Sequence, residues 1–399
     1  MIWGAFLVVA GFATNQWVLS CWSEVQSSPS WLQVVSWTLL GIGATTILLR
    51  RRPIVQKLSV AMFAACVVSP PVAELALRIS LKVESSPTRN ANLYADYYSE
   101  DDYWILHLRW FPPWVPSPAR VHPELGWSQA NVTAENPLGL YQKTIDRMRD
   151  PRPQVAFYGD SYVAGSAPEP DHIPAWIEQQ LEDTVVLDLG VHGYGTDQIG
   201  MMFQRTHASL HHPLVVIGVM LWDIDRAILS VRTGKKPRLV FGERGNVTVT
   251  GVPIERDQHE FFASGPLSFS SYVLALVRTR VRKLVGQEPK CGEKKALNRS
   301  ILEAEVGLAR ANDLDLVYVI FYPPAALRGT DWREEWLKDE LNRLGVPFVD
   351  TKPLLLEHCK KTGATVDTLY VQADGHHNAA ANHVIGDGVA AYLRGRGVR

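Results

Sequence analysis

Apolar and polar positions divide this chain into two regimes. Residues 1–81 are dominated by long apolar runs. Met1 to Trp22 and Trp31 to Leu49 carry no charged residue, and a helix of roughly 20 apolar residues is enough to cross a bilayer. A third run, Leu58 to Val72, is shorter and ends at Pro70-Pro71, and it reaches spanning length only with its flanks. The pattern predicts about three transmembrane helices. No basic stretch precedes the first run, so it does not read as a cleaved signal peptide. Arg50, Arg51, Arg52 and Lys57 lie between the second and third runs. Basic loops stay cytoplasmic, which predicts that three crossings put the remainder outside the cytoplasm.

Residues 82–150 show no sustained helical or strand period. Tyr94, Tyr97, Tyr98, Tyr103, Trp104, Trp110 and Trp114 make the segment too aromatic for a disordered linker. It reads as a connector that packs on the next domain or lies near the membrane surface. From Gln154 onward strands and helices alternate. Val155–Tyr158, Thr184–Leu189, Leu214–Leu221, Leu316–Tyr322 and Pro347–Val349 are short apolar runs of strand length. Helical patterns cover 173–181, 197–210, 295–311, 332–344 and 379–393. Continuous rather than alternating apolar runs indicate strands covered on both faces. The alternation breaks at about 226–290, where a hairpin, Arg238–Phe241 with Val247–Thr250, and a helix near 271–286 are predicted. Strands separated by helices predict an α/β domain over 151–399 with a doubly wound parallel sheet.

Composition narrows the function. The formal net charge is -1, and no Lys/Arg run follows a groove-like pattern, which leaves nucleic-acid binding without support. Cys21 and Cys66 fall in the apolar runs. Cys291 and Cys359 could pair in a domain placed outside the cytoplasm or remain two separate thiols. Adjacent His211-His212 and His376-His377 are not spaced like metal ligands, and no phosphate-cradling Gly-x-x-x-x-Gly-Lys loop is present. Neither cofactor nor metal is expected.

Three motifs carry candidate chemistry. Phe157-Tyr158-Gly159-Asp160-Ser161 places a serine hydroxyl at the carboxyl end of the first predicted strand, where open α/β sheets bind ligands. Asp374-Gly375-His376-His377-Asn378 follows the last strand. A serine is un-ionised at neutral pH and needs a base, and the base needs a carboxylate to hold its tautomer. Between these motifs lies Gly190-Val191-His192-Gly193-Tyr194-Gly195, with three glycines in six residues.

Residues 154–396 resemble the SGNH/GDSL hydrolase superfamily, with the motifs in its order. His122 to Trp127 and Asn136 to Leu140 look like the lead-in of membrane-anchored bacterial members, and so does the stretch from Lys236 to Pro253. The resemblance implies a flavodoxin-like sheet, with Ser161 as nucleophile and the Ser161 and Gly193 N–H groups in an oxyanion hole. It implies His376 as base and Asp374 as its orienting acid, in the Asp-x-His form of alginate O-acetylation-type proteins. His377 is the alternative base, since other members space the pair as Asp-x-x-His. The family's third-motif asparagine is absent. Met220-Leu221-Trp222-Asp223 stands there, so Trp222 or Asp223 takes its place. Loss of one oxyanion donor typically costs on the order of 100- to 1,000-fold in rate. The resemblance implies an ester-cleaving serine enzyme acting on an O-acyl group of an envelope glycan or lipid-linked sugar. The alternatives are an O-acyltransferase, with a membrane acyltransferase as possible partner, and a weakly active glycan-binding or assembly subunit.

Overall fold

The computed structural model describes residues 8, 30–48, 52–211, 213–242, 247–286 and 288–398. It comprises two compact units, one of Met1–Ala95 with Ser268–Gln287 and one of Asp96–Leu267 with Glu288–Arg399. The division therefore falls at 95/96, inside the expected connector, and part of the expected insertion groups with the N-terminal unit.

In the larger unit five parallel strands form the central sheet. They are β1 (Gln154–Gly159), β2 (Val185–Gly190), β3 (Leu214–Met220), β4 (Asp315–Phe321) and β5 (Phe348–Asp350), in the order β2-β1-β3-β4-β5. This is the flavodoxin-like order, whose switch point lies between β1 and β3. Every residue of β1 and β3 is buried, as required of strands covered on both faces. Helices α1 (Ser161–Ala164), α2 (Ile173–Gln180), α3 (Thr196–Thr206), α4 (Cys291–Ala311), α5 (Trp332–Leu344), α6 (Thr351–Thr362) and α7 (Ala379–Gly395) surround the sheet. They pack in two sets, α2 with α7 and α6, and α3 with α4 and α5.

Glycines let α1 sit low on the carboxyl edge. A Cβ at Gly159 or at Gly218 of β3 would run into the Val163 side chain, and one at Gly190 would lie 2.5 Å from the Ala164 nitrogen. Small residues at three strand positions thus bring the serine-bearing turn close to the sheet.

Among the helices that the sequence did not predict, two are ten residues or longer. Asp101–Trp110 is helical within the stretch read as aperiodic, because its aromatic residues are buried around most of its circumference and leave no clean polar face. Asp101 also accepts hydrogen bonds from the Ser230 and Val231 N–H groups, at 2.8 and 3.1 Å. Helix α6 occupies the gap between β5 and the Asp/His motif, capped by Asp350. The hairpin forms as expected, with Arg238 opposite Thr250 and Phe241 opposite Val247; its tip, 243–246, lies outside the described residues. Cys291 and Cys359 are both free thiols.

In the N-terminal unit the first expected span, Met1 to Trp22, lies outside the described residues apart from Val8. The second falls on helix Ser30–Leu48 and the third within helix Pro53–Ser80, which runs on through Pro70-Pro71. Among the described residues no helix is long and apolar enough to cross a membrane. Helix Tyr272–Val285 completes this unit.

Candidate active site

Ser161 is the first residue of α1, and Asp160 caps that helix by accepting the Tyr162 N–H at 2.8 Å. Its hydroxyl lies 2.7 Å from His376 Nε2 and 3.3 Å from Asp160 Oδ2. Its backbone N–H, an orphan of the first helical turn, has no partner among the described residues.

His376 comes from the opposite end of the sequence. Gly375, at φ +74°, turns the chain between Asp374 and His376. Asp374 Oδ1 accepts the His376 backbone N–H at 3.0 Å, while its Oδ2 lies 3.1 Å from His376 Nδ1. The Nδ1–H is not aimed along that line, so this hydrogen bond is unmade in the resting geometry. Such contacts often tighten only when substrate binds. Burial opposes ionisation of Asp374, but the His376 N–H and imidazole outweigh it and keep the carboxyl below its ordinary value. The nearby Ser166 side chain helps to keep it there. Tyr162 ties the two motifs together by donating to the Gly375 carbonyl at 3.1 Å.

His377 has no such setting. Its ring packs among Tyr162, Phe321 and Tyr370, with centroids 4.7, 6.1 and 5.0 Å away. Neither ring nitrogen has a hydrogen-bond partner. Burial, followed by the neighbouring His376, pushes its pKa down to about 3. It is a neutral core residue, and the alternative base is thereby excluded by placement.

The glycine-rich loop reaches the same edge. Gly193 has φ +81°, a left-handed conformation that glycine adopts at little cost. Its N–H donates to no partner among the described residues. The preceding His192 ring lies 6.3 Å from the His376 ring. The loop is fastened from the lead-in segment: Trp127 Nε1 donates to the His192 carbonyl at 2.8 Å, and the Tyr194 hydroxyl to the Trp127 carbonyl at 2.6 Å. Gln129 Nε2 donates to the Gly190 carbonyl at 2.7 Å.

The third motif is occupied differently from expectation. Asp223 is fully buried, accepting from the Met220 N–H at 2.9 Å and from Arg226. It faces a guanidinium rather than the serine, which removes it as an oxyanion donor. The Trp222 ring packs against Tyr98 at 5.5 Å. The buried Arg226 also donates to Asp160 Oδ2 and to the Tyr194 carbonyl, both at 2.8 Å. One guanidinium therefore links the serine turn, the glycine loop and the third motif. Burial disfavours both carboxylates. Arg226 outweighs this at Asp160, whose pKa falls, whereas burial and the Asp160 charge drive Asp223 well up. Sequence reasoning missed Arg226, Trp127 and Ser166, since nothing in the local spacing signals contacts across so much chain.

A cavity of about 520 Å³ adjoins the site, with Ser166, His192, Lys143, Arg147, His172 and Asp188 in its lining. Burial raises the Asp188 carboxyl above its ordinary range. A larger cavity, about 790 Å³, lies at the amino ends of β1 and β3, away from the serine.

No protein-family model and no curated protein matches the chain. Among solved structures it is similar to a lipolytic protein of the G-D-S-L family from Veillonella parvula, at 12% identity and TM-score 0.36, covering 61% of this chain and 98% of that one. A lipase/acylhydrolase from Enterococcus faecalis gives 14% identity and TM-score 0.35, with 61% and 96% covered. A psychrotrophic esterase from Pseudoalteromonas gives 11% and 0.34, with 61% and 97% covered. It is to these G-D-S-L lipolytic proteins, acylhydrolases and esterases that the chain is similar.

Proposed function

We propose that the protein is a serine esterase of the SGNH/GDSL kind, cleaving an O-acyl group, most simply an O-acetyl, from a glycan or lipid-linked sugar. The observation that carries this reading is the Ser161–His376–Asp374 constellation, with a 2.7 Å contact between nucleophile and base. His376 Nε2 takes the Ser161 proton as Oγ attacks the ester carbonyl. The oxyanion that forms is held by the Ser161 and Gly193 N–H groups, both without a partner among the described residues. His376 then returns the proton to the leaving sugar oxygen. Water, deprotonated by the same imidazole, attacks the acyl-enzyme and releases the acid and free serine. Asp374 stabilises the imidazolium throughout.

The cavity beside His192 has Lys143, Arg147 and Asp188 in its lining, charged groups that could meet the hydroxyls of a sugar leaving group. The uncharged runs at 1–22 and 31–49 support attachment to the inner membrane, with the catalytic unit on its outer side. With two oxyanion donors rather than three, turnover should be slow.

Fluorophosphonate labelling of the detergent-solubilised full chain tests the reading. Labelling should occur in the parent and vanish in Ser161→Ala and His376→Ala, with hydrolysis of an acetylated sugar falling on the order of a million-fold in each. A folded parent that takes no label sinks the proposal.

A further inference from the structure

The cavity of about 520 Å³ beside the serine turn is built largely by residues outside the three catalytic motifs. Asp188 of β2 and His172, the residue before α2, both line it. Both are held in place. Asp188 Oδ1 accepts the Gly190 N–H at 3.0 Å, and the Asp188 carbonyl accepts from Gln129 Nε2 at 3.2 Å and Thr144 Oγ1 at 3.3 Å. His172 Nε2 lies 2.7 Å from the Ala167 carbonyl. A carbonyl only accepts, so Nε2 carries the ring proton and Nδ1 of the neutral imidazole is an acceptor. A Cβ at Gly165 would lie 2.5 Å from His172 Cδ2, so the ring is seated directly against the residue that follows α1.

Two acceptors therefore face each other. Asp188 Oδ2 and His172 Nδ1 are 4.0 Å apart, too far for a hydrogen bond, and neither has another partner among the described residues. A nitrogen ~2.9 Å from both would bond them at an angle of about 90°, which takes two protons on one atom. A hydroxyl or an acetamide N–H offers one, whereas a primary ammonium offers three. Charge points the same way. Lys143 pairs with Glu169 and Arg147 with Glu178, which leaves Asp188 as the carboxylate of the lining with no Lys or Arg partner among the described residues. Burial holds its carboxyl up at about 7, and a cation beside it would favour the ionised form.

We propose that this cavity takes the protonated amine of an amino sugar, bridging Asp188 Oδ2 and His172 Nδ1. His192 also lines the cavity, and its ring lies 6.3 Å from that of His376, which puts a bound sugar within reach of the base. Calling that sugar the leaving group of Ser161 rests on the esterase reading; the ammonium site itself does not. The preferred substrates are then O-acylated glycans with free rather than acetylated amines.

The test measures binding instead of turnover. Full-length Ser161→Ala protein in detergent is titrated calorimetrically, near neutral pH, with the methyl glycosides of glucosamine, N-acetylglucosamine and glucose. The glucosaminide should bind at least about ten-fold tighter than the other two, and Asp188→Asn should remove that preference, as expected for one charge-assisted hydrogen bond. Equal binding of the three, or binding of none, overturns the proposal, as does a preference that survives in folded Asp188→Asn protein. The ligand series leaves the site unaltered, so it decides the matter whether or not that variant folds. Ethanolamine binding as tightly as the glucosaminide would overturn the sugar assignment. Failure of the esterase reading shows separately, in fluorophosphonate labelling: selective binding by a chain that takes no label keeps the ammonium site and discards the leaving-group role.

Discussion

His376 and His377 are consecutive, yet one touches the serine and a carboxylate while the other is sealed among aromatic rings. The difference shows in acid. His377 titrates near 3 in the fold, against an ordinary 6.5. Its lowered pKa means that the unfolded chain binds a proton first, so stability is complete above about 6.5 and declines as pH falls toward 3. At pH 5 the loss should be about 2 kcal/mol, with His122, held down to about 4 by burial, adding to it. His377→Phe should remove about half of the combined loss in urea titrations at pH 5 and 7 while fluorophosphonate labelling persists. Abolished labelling would restore His377 as a candidate base. The grouping of Ser161, His376 and Asp374 is legible in the sequence because each motif is local: Gly-Asp-Ser and Asp-Gly-His bring their own turn chemistry. The choice between the two histidines was open, since both spacings suit the motif and only burial separates them.

At the scale of elements, the glycine loop between β2 and α3 is held by groups from elsewhere in the chain. Trp127 and Arg226 donate to its His192 and Tyr194 carbonyls, the Tyr194 hydroxyl donates in turn to the Trp127 carbonyl, and the Gly193 N–H has no partner among the described residues. A Cβ at Gly193 would lie 2.6 Å from Thr233 Oγ1 at a φ that side chains rarely adopt. Gly193→Ala should therefore lower kcat by about 100-fold, the usual effect of losing one oxyanion donor, with little change in KM. An unchanged kcat would show that the oxyanion sits elsewhere. The strands are readable from their apolar runs and their parallel pairing from the strand–helix alternation, while the flavodoxin-like order is implied only by the family resemblance. The Asp101–Trp110 helix and the Arg226 cluster are not readable, because burial on several sides erases periodicity and ion pairs between distant segments leave no spacing rule.

On the scale of the whole molecule, the sheet encloses a second displaced acid. Glu305 on α4 is buried, its carboxylate meeting the Tyr318 hydroxyl at 2.5 Å, and burial pushes it up to about 8. A raised carboxyl favours the fold fully below its unfolded value of 4.5 and progressively less as pH climbs to 8. At pH 7 the loss is on the order of 3 kcal/mol. Glu305→Gln should raise the Tm at pH 8 by several degrees and leave it nearly unchanged at pH 4.5; equal Tm values at pH 8 would rule this out. Together with His377, this acid should confine maximal stability to mildly acidic conditions. The pairing of helix Tyr272–Val285 with Glu74 has a different consequence, for the order in which the chain can assemble. A unit begun at the N-terminus acquires its last helix only after some two hundred further residues have been synthesised. Trimming the protein at residue 95 would not liberate a clean catalytic fragment. It would strand 268–287 without its helix partner, so a well-behaved soluble version must remove that excursion as well.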